Sequence, residues 1–172
     1  MRLLHSAVPP MLPLPPEDLP SPPPALARIV ADEAYLAFQP TSHRDGHGNR
    51  LWDLELWRQG QMLRRWPSVT GSPEAERADR FNRPGNQAPL PPGAYAIGEP
   101  IRLGPGDPRE IGRSWFIPVE PVFATPRGHF GIHQDVSQDG TGGCIGLASR
   151  RLTEDVTDWV RASGARWLWV RG

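Results

Sequence analysis

Two side chains of this protein have types and a spacing that suit covalent catalysis. Cys144 is the only cysteine of the 172 residues, and His133 precedes it in a glycine-rich segment. A cysteine nucleophile needs a nearby base that takes the thiol proton, and the loop between the two residues is long enough to fold His133 back against Cys144. The sequence therefore predicts that Cys144 forms an acyl-enzyme, with His133 as its general base.

Glycines directly precede the cysteine. Gly142 and Gly143 let the backbone approach a substrate carbonyl closely, so the amides around Gly143 and Cys144 are predicted to bind the developing oxyanion. Gly142 is accordingly counted among the substrate-binding positions. Thr141 is predicted to bond to a loop amide or to orient the Cys–His pair.

The order of these motifs resembles the catalytic signature of the L,D-transpeptidases, the YkuD-type family of cell-wall enzymes. Phe130-Gly131-Ile132-His133 and Thr141-Gly142-Gly143-Cys144-Ile145 match that signature position by position. Upstream, residues 51–71 resemble the family's opening hairpin, and residues 91–97 resemble its Thr-Pro-x-Gly-x-Tyr strand. The resemblance covers about residues 50–171.

The resemblance implies a fold and a reaction. The fold is mainly β, an L,D-transpeptidase-like β-sandwich of mixed strands with one C-terminal helix before the last strand. In family terms, Cys144 forms a thioester with a peptidoglycan stem peptide and passes it to an amine acceptor. Hydrolysis of the same acyl-enzyme would make the protein an L,D-carboxypeptidase or endopeptidase. Neither route needs a metal or an organic cofactor, and carbapenem-type inhibitors are expected to react with the same thiol.

Three positions depart from the family pattern. Gly146 stands where the family usually has arginine, Gly142 where many members have histidine or lysine, and Gln134 where they have glycine. The loop from histidine to cysteine is also shorter than usual. Arg150, shortly after the cysteine, is predicted to bind a substrate carboxylate in place of the missing arginine. The departures leave both transpeptidation and hydrolysis open.

Two other interpretations use the same residues differently. On a strand, His129, His133 and Asp135 would share one face, and with Cys144 they would form a zinc-like ligand set. A zinc-dependent hydrolase is therefore one alternative, and a non-catalytic cell-wall-binding module is another. The glycine-lined cysteine favours the acyl-enzyme and leaves His129 beside the substrate or on the surface. Trp115, which precedes the catalytic strand, is predicted to line the cleft, whereas core packing is favoured for most other tryptophans.

Composition excludes several classes of protein. The nineteen basic residues are all arginine and are balanced by nineteen acids. The absence of lysine excludes Schiff-base chemistry and a G-x-x-x-x-G-K phosphate loop, and zero net charge without a basic run argues against nucleic-acid binding. No apolar stretch approaches the ~18 residues of a membrane helix.

No secretory signal is recognisable either. A cell-envelope enzyme would then need another export route, delivery as an effector or phage product, or storage in the cytoplasm.

The remaining sequence predicts the elements that position the site. Residues 1–34 are predicted to be a Pro-rich arm with a short helix over residues 25–33, and residues 35–172 to be the catalytic domain. A hairpin is predicted from the alternation of apolar and acidic residues over residues 52–56, a turn at residues 58–60 and a returning strand over residues 61–66. Further strands are predicted at residues 35–38, 93–97, 115–119, 130–133 and 167–170. Residues 41–50 and 71–92 are predicted loops. A helix is predicted from an N-cap at Thr153, with Glu154 and Asp155 in its first turn, to Gly164.

Overall fold

The computed structural model describes residues 33–172, which form a mainly β fold with one α-helix. The strands of this part of the chain are β1 (Tyr35–Arg44), β2 (Arg50–Arg58), β3 (Gln61–Thr70), β4 (Gly93–Ile97), β5 (Ile101–Arg102), β6 (Trp115–Pro121), β7 (Gly131–Gln134), β8 (Ile145–Leu147) and β9 (Trp167–Val170). Helix α1 (Arg150–Ser163) connects β8 to β9. The predicted mainly β fold with a helix before the last strand is confirmed. The predicted arm and its short helix lie almost wholly outside the described residues.

The strands form one mixed sheet that closes on itself. Their order is β4-β9-β1-β2-β3-β8-β7-β6-β5, and β6 also pairs with β4, so the sheet returns to its first strand. β1 pairs with β9 and β7 pairs with β8 in parallel, whereas the other neighbours are antiparallel. Closure pairs both edges of the sheet except at the short strand β5, which pairs with β6 alone.

The hairpin of β2 and β3 forms where the alternating pattern predicts it. Trp52, Leu54 and Leu56 point into the core, and the turn at Gln59 and Gly60 has positive φ angles of 49° and 73°. Positive φ at both central residues is the geometry of a type I′ turn, which matches the right-handed twist of paired strands. Strand β3 continues beyond its predicted end at Trp66 because its last residues pair with β8. The hairpin therefore reaches the strand that follows the cysteine.

Strand β1 is also longer than predicted. Pro40 is the last residue in regular register with β2, as the partner of Trp52. The pairing resumes at Arg44↔Arg50, so the strand passes through an irregularity instead of ending. The loop predicted for residues 41–50 shrinks to a turn closed by Asp45, whose carboxylate accepts hydrogen bonds from the amides of His47 (2.8 Å) and Asn49 (2.9 Å). The pairing of β1 with β9 ends at Phe38↔Val170, before Pro40, so the missing amide donor of the proline interrupts no regular pairing on that side.

One hydrophobic core fills the closed sheet. It includes Leu36 and Phe38 of β1, Ile132 of β7, Ile145 of β8 and Val156 of α1, all fully buried. Ile132 and Ile145 are direct partners across the β7–β8 pair. Because side chains alternate along a strand, the residues next to these isoleucines project to the opposite face. That face carries the candidate site.

Most tryptophans pack, as predicted. Trp52 and Trp66 are buried in the main core, and the Trp52 ring stacks on Phe38 at 4.7 Å between centroids. Trp169 is buried in a smaller apolar cluster on the other face of the sheet, against which Trp57 and Trp167 pack. These aromatic rings stabilise the sheet through their buried area.

The helix begins one turn earlier than predicted. Its N-cap is Ser149, whose Oγ accepts a hydrogen bond from the Leu152 amide at 3.2 Å. Thr153 was predicted to be the N-cap, and this is wrong: it lies inside the helix, fully buried, and donates to the Ser149 carbonyl at 3.0 Å. The prediction of acids in the first turn is wrong for the same reason. Gly164 ends the helix with φ 68°, as predicted. Within residues 33–172 this helix is too short and too polar to cross a membrane.

We expect the Ser149→Ala variant to lower the free energy of unfolding by about 1 kcal/mol, because the Leu152 amide loses its acceptor. Urea denaturation followed by circular dichroism measures the change. Asp158→Ala, an exposed position of the same helix, is the control and should change stability by less than about 0.5 kcal/mol. Equal effects of the two substitutions would contradict the assignment of the cap.

Candidate active site

The register of two parallel strands brings the predicted nucleophile and base together. His133 of β7 pairs with Gly146 of β8, and Ile132 pairs with Ile145. Cys144 therefore lies beside Gly131, which precedes His133 by two residues on β7. Because side chains two residues apart on a strand point to the same face, the side chains of Cys144 and His133 lie on the same face of the sheet. Both side chains line one cavity of about 350 Å³, together with Ser72, Gln87, Glu110, Ile111, Asp135, Ser137, Asp139, Gly140, Thr141 and Gly142.

Glycine is required at the position beside the cysteine. A Cβ atom on Gly131 would lie inside the ring of Phe116. The same ring stacks on the His133 imidazole, with centroids 6.0 Å apart and planes inclined by 13°. Phe116 thus occupies the space that a side chain at residue 131 would need, and it packs against the face of the His133 imidazole.

His133 is held as an oriented, neutral base. Its side chain is only 6% exposed, and Nδ1 lies 2.7 Å from the carbonyl oxygen of Gln134. A carbonyl only accepts, so Nδ1 carries the hydrogen and Nε2 is the nitrogen with a free lone pair. Burial lowers the pKa of the imidazole, against the opposing effect of the Gln134 bond. At neutral pH the group is therefore a base ready to take a proton at Nε2.

Cys144 is protonated at rest. Burial raises the pKa of the thiol to about 11, although the Gly131 amide and the Arg127 charge both act to lower it. The thiol donates to the His129 carbonyl at 3.7 Å, and no hydrogen bond between the thiol and His133 is found within residues 33–172. The site therefore holds a neutral thiol and a neutral imidazole, and proton transfer must accompany attack on a substrate.

Thr141 fixes the backbone around the cysteine. Its hydroxyl donates to the Cys144 carbonyl at 2.6 Å and accepts from the amides of Gly71 (3.0 Å) and Gly143 (3.2 Å). Thr141 therefore bonds to loop amides, as one of the predicted alternatives states. Because the Gly143 amide is engaged by this hydroxyl, the Cys144 amide is the better placed of the two predicted oxyanion donors.

The loop between His133 and Cys144 is closed by a buried carboxylate. Asp135 is 4% exposed and accepts from the amides of Gln138 (3.1 Å) and Gly140 (2.9 Å). Burial raises the pKa of this carboxyl, against the lowering effect of the Gly140 bond. Asp135 thus holds the loop in its short, compact conformation through hydrogen bonds to two of its amides.

The packing at Gly146 explains one departure from the family pattern. A Cβ atom there would lie 2.9 Å from the Asp135 Cβ and 2.9 Å from the Thr141 Cγ2. The side chains that close the loop and hold the cysteine therefore occupy the space that an arginine would need.

A buried arginine that the sequence analysis did not identify approaches the loop of residues 135–144, which ends at Cys144 and is called the cysteine loop. Arg127 is 4% exposed, and its Nη2 donates to the Gly142 carbonyl at 3.3 Å. A Cβ atom on Gly143, where φ is 116°, would collide with this Nη2. The arginine lies seventeen residues before Cys144 in an irregular segment, so no motif or periodicity indicated its proximity.

Three predicted substrate-binding residues lie apart from the cavity. Two guanidinium groups cover the Trp115 ring, from Arg102 at 5.2 Å and Arg161 at 4.2 Å. Arg150 is exposed at the start of α1 and pairs with Glu154 at 2.8 Å. His129 is exposed with φ 58°, and only its carbonyl faces the thiol. Their roles toward a substrate stay predictions.

The proposed zinc-like set is not assembled. Within residues 33–172 no group of three histidine, cysteine or acidic residues is placed to hold a metal ion. Of the three residues expected on one strand face, only His133 lies in β7, because His129 precedes this strand and Asp135 follows it.

No protein-family model and no curated protein matches the chain. Two solved structures are similar to it. One is the Ldtfm–avibactam carbamoyl enzyme, 17% identical, with a TM-score of 0.47 over 82% of this chain and 49% of that chain. The other is a cysteine-to-serine mutant of the Enterococcus faecium L,D-transpeptidase, 16% identical, with a TM-score of 0.47 over 81% of this chain and 50% of that chain. The chain spans about half the length of each structure.

We expect the rate of alkylation of Cys144 by iodoacetamide to rise about tenfold per pH unit between pH 7 and pH 10. A raised thiol pKa of about 11 leaves only about one thiolate in ten thousand at pH 7. Intact-mass spectrometry of the native protein measures the rate, with the urea-unfolded protein as reference. A rate plateau reached below pH 8 would contradict the neutral resting thiol.

We expect Thr141→Val to destabilise the protein by about 2 kcal/mol, because the buried amides of Gly71 and Gly143 lose their acceptor. It should also slow alkylation of Cys144 through loss of the fixed backbone. Thr141→Ser keeps the hydroxyl and should retain most of both properties. Thermal unfolding and alkylation kinetics check the pair, and identical behaviour of the two variants would exclude this role of the hydroxyl.

Proposed function

We propose that this protein is a cysteine acyltransferase that acts on peptidoglycan stem peptides, with Cys144 as nucleophile and His133 as general base. The observation that carries the proposal is the placement of both side chains in one cavity by the β7–β8 register. The Gln134 carbonyl leaves Nε2 of His133 free to take the thiol proton. The substrate class comes from the motif resemblance, and such a substrate requires that the enzyme work at the cell envelope.

The first half-reaction forms a thioester. The Cys144 sulfur attacks the carbonyl carbon of a stem-peptide amide while His133 Nε2 takes the thiol proton. The negative charge that develops on the carbonyl oxygen is bound by the Cys144 amide. When the C–N bond breaks, His133 returns the proton to the leaving amine. The neutral resting pair suits this sequence, because no charge has to be stabilised before the substrate arrives.

The second half-reaction transfers the acyl group to an amine. The acceptor nitrogen attacks the thioester carbonyl, and His133 takes a proton from that nitrogen and delivers it to the departing sulfur. The thiol and the neutral imidazole are thereby restored. If water replaces the amine, the same steps give hydrolysis, which is the alternative activity.

Covalent capture tests the nucleophile. We expect incubation with a carbapenem to add the mass of one inhibitor to the protein and peptide mapping to locate it on Cys144. Cys144→Ala should abolish the adduct, and His133→Asn should slow its formation at least about a hundredfold, because the general base is lost. Circular dichroism verifies that each variant is folded. A folded wild-type protein that forms no adduct would count against the proposal.

Product analysis distinguishes the two activities. We expect disaccharide-tetrapeptide muropeptides to yield cross-linked dimers that are absent with Cys144→Ala. Products shortened by one residue without dimers would assign the protein as a peptidase instead. Activity that survives Cys144→Ala would exclude both forms of the acyl-enzyme reaction.

A further inference from the structure

Arg127 has an unusual environment for an arginine. Its side chain is 4% exposed, and its guanidinium donates to the carbonyls of Arg80 (2.6 Å), Pro89 (3.0 Å), Ala88 (2.8 Å) and Gly142 (3.3 Å). Its guanidinium also lies 5.3 Å from the centre of the Phe130 ring. Neutral backbone carbonyls thus accept hydrogen bonds from the guanidinium N–H groups, but they do not neutralise its positive charge.

No carboxylate of residues 33–172 forms an ion pair with Arg127. A buried and unpaired charge is costly, because desolvation removes its hydration without an opposite charge in return. The nearby Arg80 adds a second, half-buried positive charge, and burial lowers the pKa of both guanidinium groups. A fold that only needed to tie down the segment around residues 80–90 could use neutral donors. The retained charge therefore calls for a negative partner that appears during function.

The cysteine loop is the place where negative charge would appear. The Gly142 carbonyl accepts from Arg127, and the Gly143 carbonyl accepts from Thr70 Oγ1 at 3.2 Å. These two bonds give both carbonyls a hydrogen-bond donor from outside the loop. The other titratable groups around the thiol are His133 and Asp135 on and after β7, with Glu110 and Asp139 at the cavity rim. None of these four groups carries a permanent positive charge, whereas Arg127 does.

We propose that Arg127 is a positioning and charge-compensating residue for Cys144. It holds the Gly142–Cys144 backbone and stabilises the negative charge that forms on the sulfur and on the substrate oxygen. The effect on the thiolate concerns the bare protein, whereas the effect on the substrate oxygen rests on the proposed acyltransferase function. The residue does so from a buried position in the segment before β7, without contact to substrate.

Arg80 provides a matched control. It is a half-buried arginine that donates to the Leu90 carbonyl through both Nε and Nη2, and it forms no hydrogen bond with residues 135–144. The bond from Arg127 to Arg80 uses the Arg80 backbone carbonyl, so Arg80→Met leaves that bond in place. Both substitutions therefore remove a positive charge, but only Arg127 donates a hydrogen bond to the loop that carries Cys144.

The test follows alkylation of Cys144 by iodoacetamide against pH in the full chain. We expect Arg127→Met to lower the rate about tenfold at each pH between 7 and 10, and Arg127→Lys, which keeps the charge, to lower it less. Arg80→Met should leave the rate within about twofold of the wild type. Added guanidinium chloride at non-denaturing concentration should partly restore the rate of an Arg127→Ala variant. Circular dichroism at each pH confirms that the variants compared are folded.

Two outcomes would overturn the proposal. One is a rate for Arg127→Met equal to that of the wild type in a folded protein. The other is an equal loss in Arg127→Met and Arg80→Met, which would show a general structural role. A wild-type protein that fails to react with carbapenems, combined with the expected alkylation series, would reject the proposed function and leave the compensating charge of Arg127 standing.

Discussion

The parallel pairing of β7 with β8 is the constraint on which the site depends. Ile132 and Ile145 meet in the core and set the register, so Cys144 must lie beside Gly131. Gly131 is two residues from His133 on the same strand, which places the thiol and the imidazole on one face. Parallel neighbours usually need a crossover of a dozen or more residues, commonly a helix. Here residues 135–144 make the connection without a helix. Because this connection has no helix to satisfy its backbone groups, side chains supply hydrogen bonds to its amides instead.

Those hydrogen bonds come from few side chains. Asp135 closes the loop from inside, and Thr141 ties its end both to Gly71 and to the cysteine carbonyl. Gly140 packs directly on the Gly71 carbonyl, where a Cβ atom would not fit. The backbone around Cys144 is consequently fixed before any substrate binds. Preorganised backbone donors are effective at developing charge because they need no reorganisation during the reaction.

The electrostatics of the site follow from its burial. Desolvation holds the thiol protonated and the imidazole neutral, so the pair stores no charge at rest. Arg127 is the exception, a buried cation whose partners are carbonyl oxygens. A cavity with a neutral thiol and one fixed positive charge nearby is suited to a reaction whose negative charge is transient.

Much of the secondary structure was predictable from local pattern. Strands β4 and β9 have the predicted bounds, and the hairpin of β2 and β3 follows from alternation and a Gln-Gly turn. Strands β5 and β8 were not predicted, because two or three residues carry no periodicity. The helix start was misplaced because apolar spacing starts at Leu152, whereas the cap is set by Ser149, one turn earlier.

The sequence by itself determined which residues could react: one cysteine, a histidine before it and glycines around it. Those are matters of residue type and local order. Only the tertiary structure decided which nitrogen of His133 is basic, that the resting thiol is neutral, and that Arg127 reaches the cysteine loop while Trp115 and Arg150 lie elsewhere. These properties depend on burial and on contacts between residues far apart in the chain, and neither is encoded in local spacing.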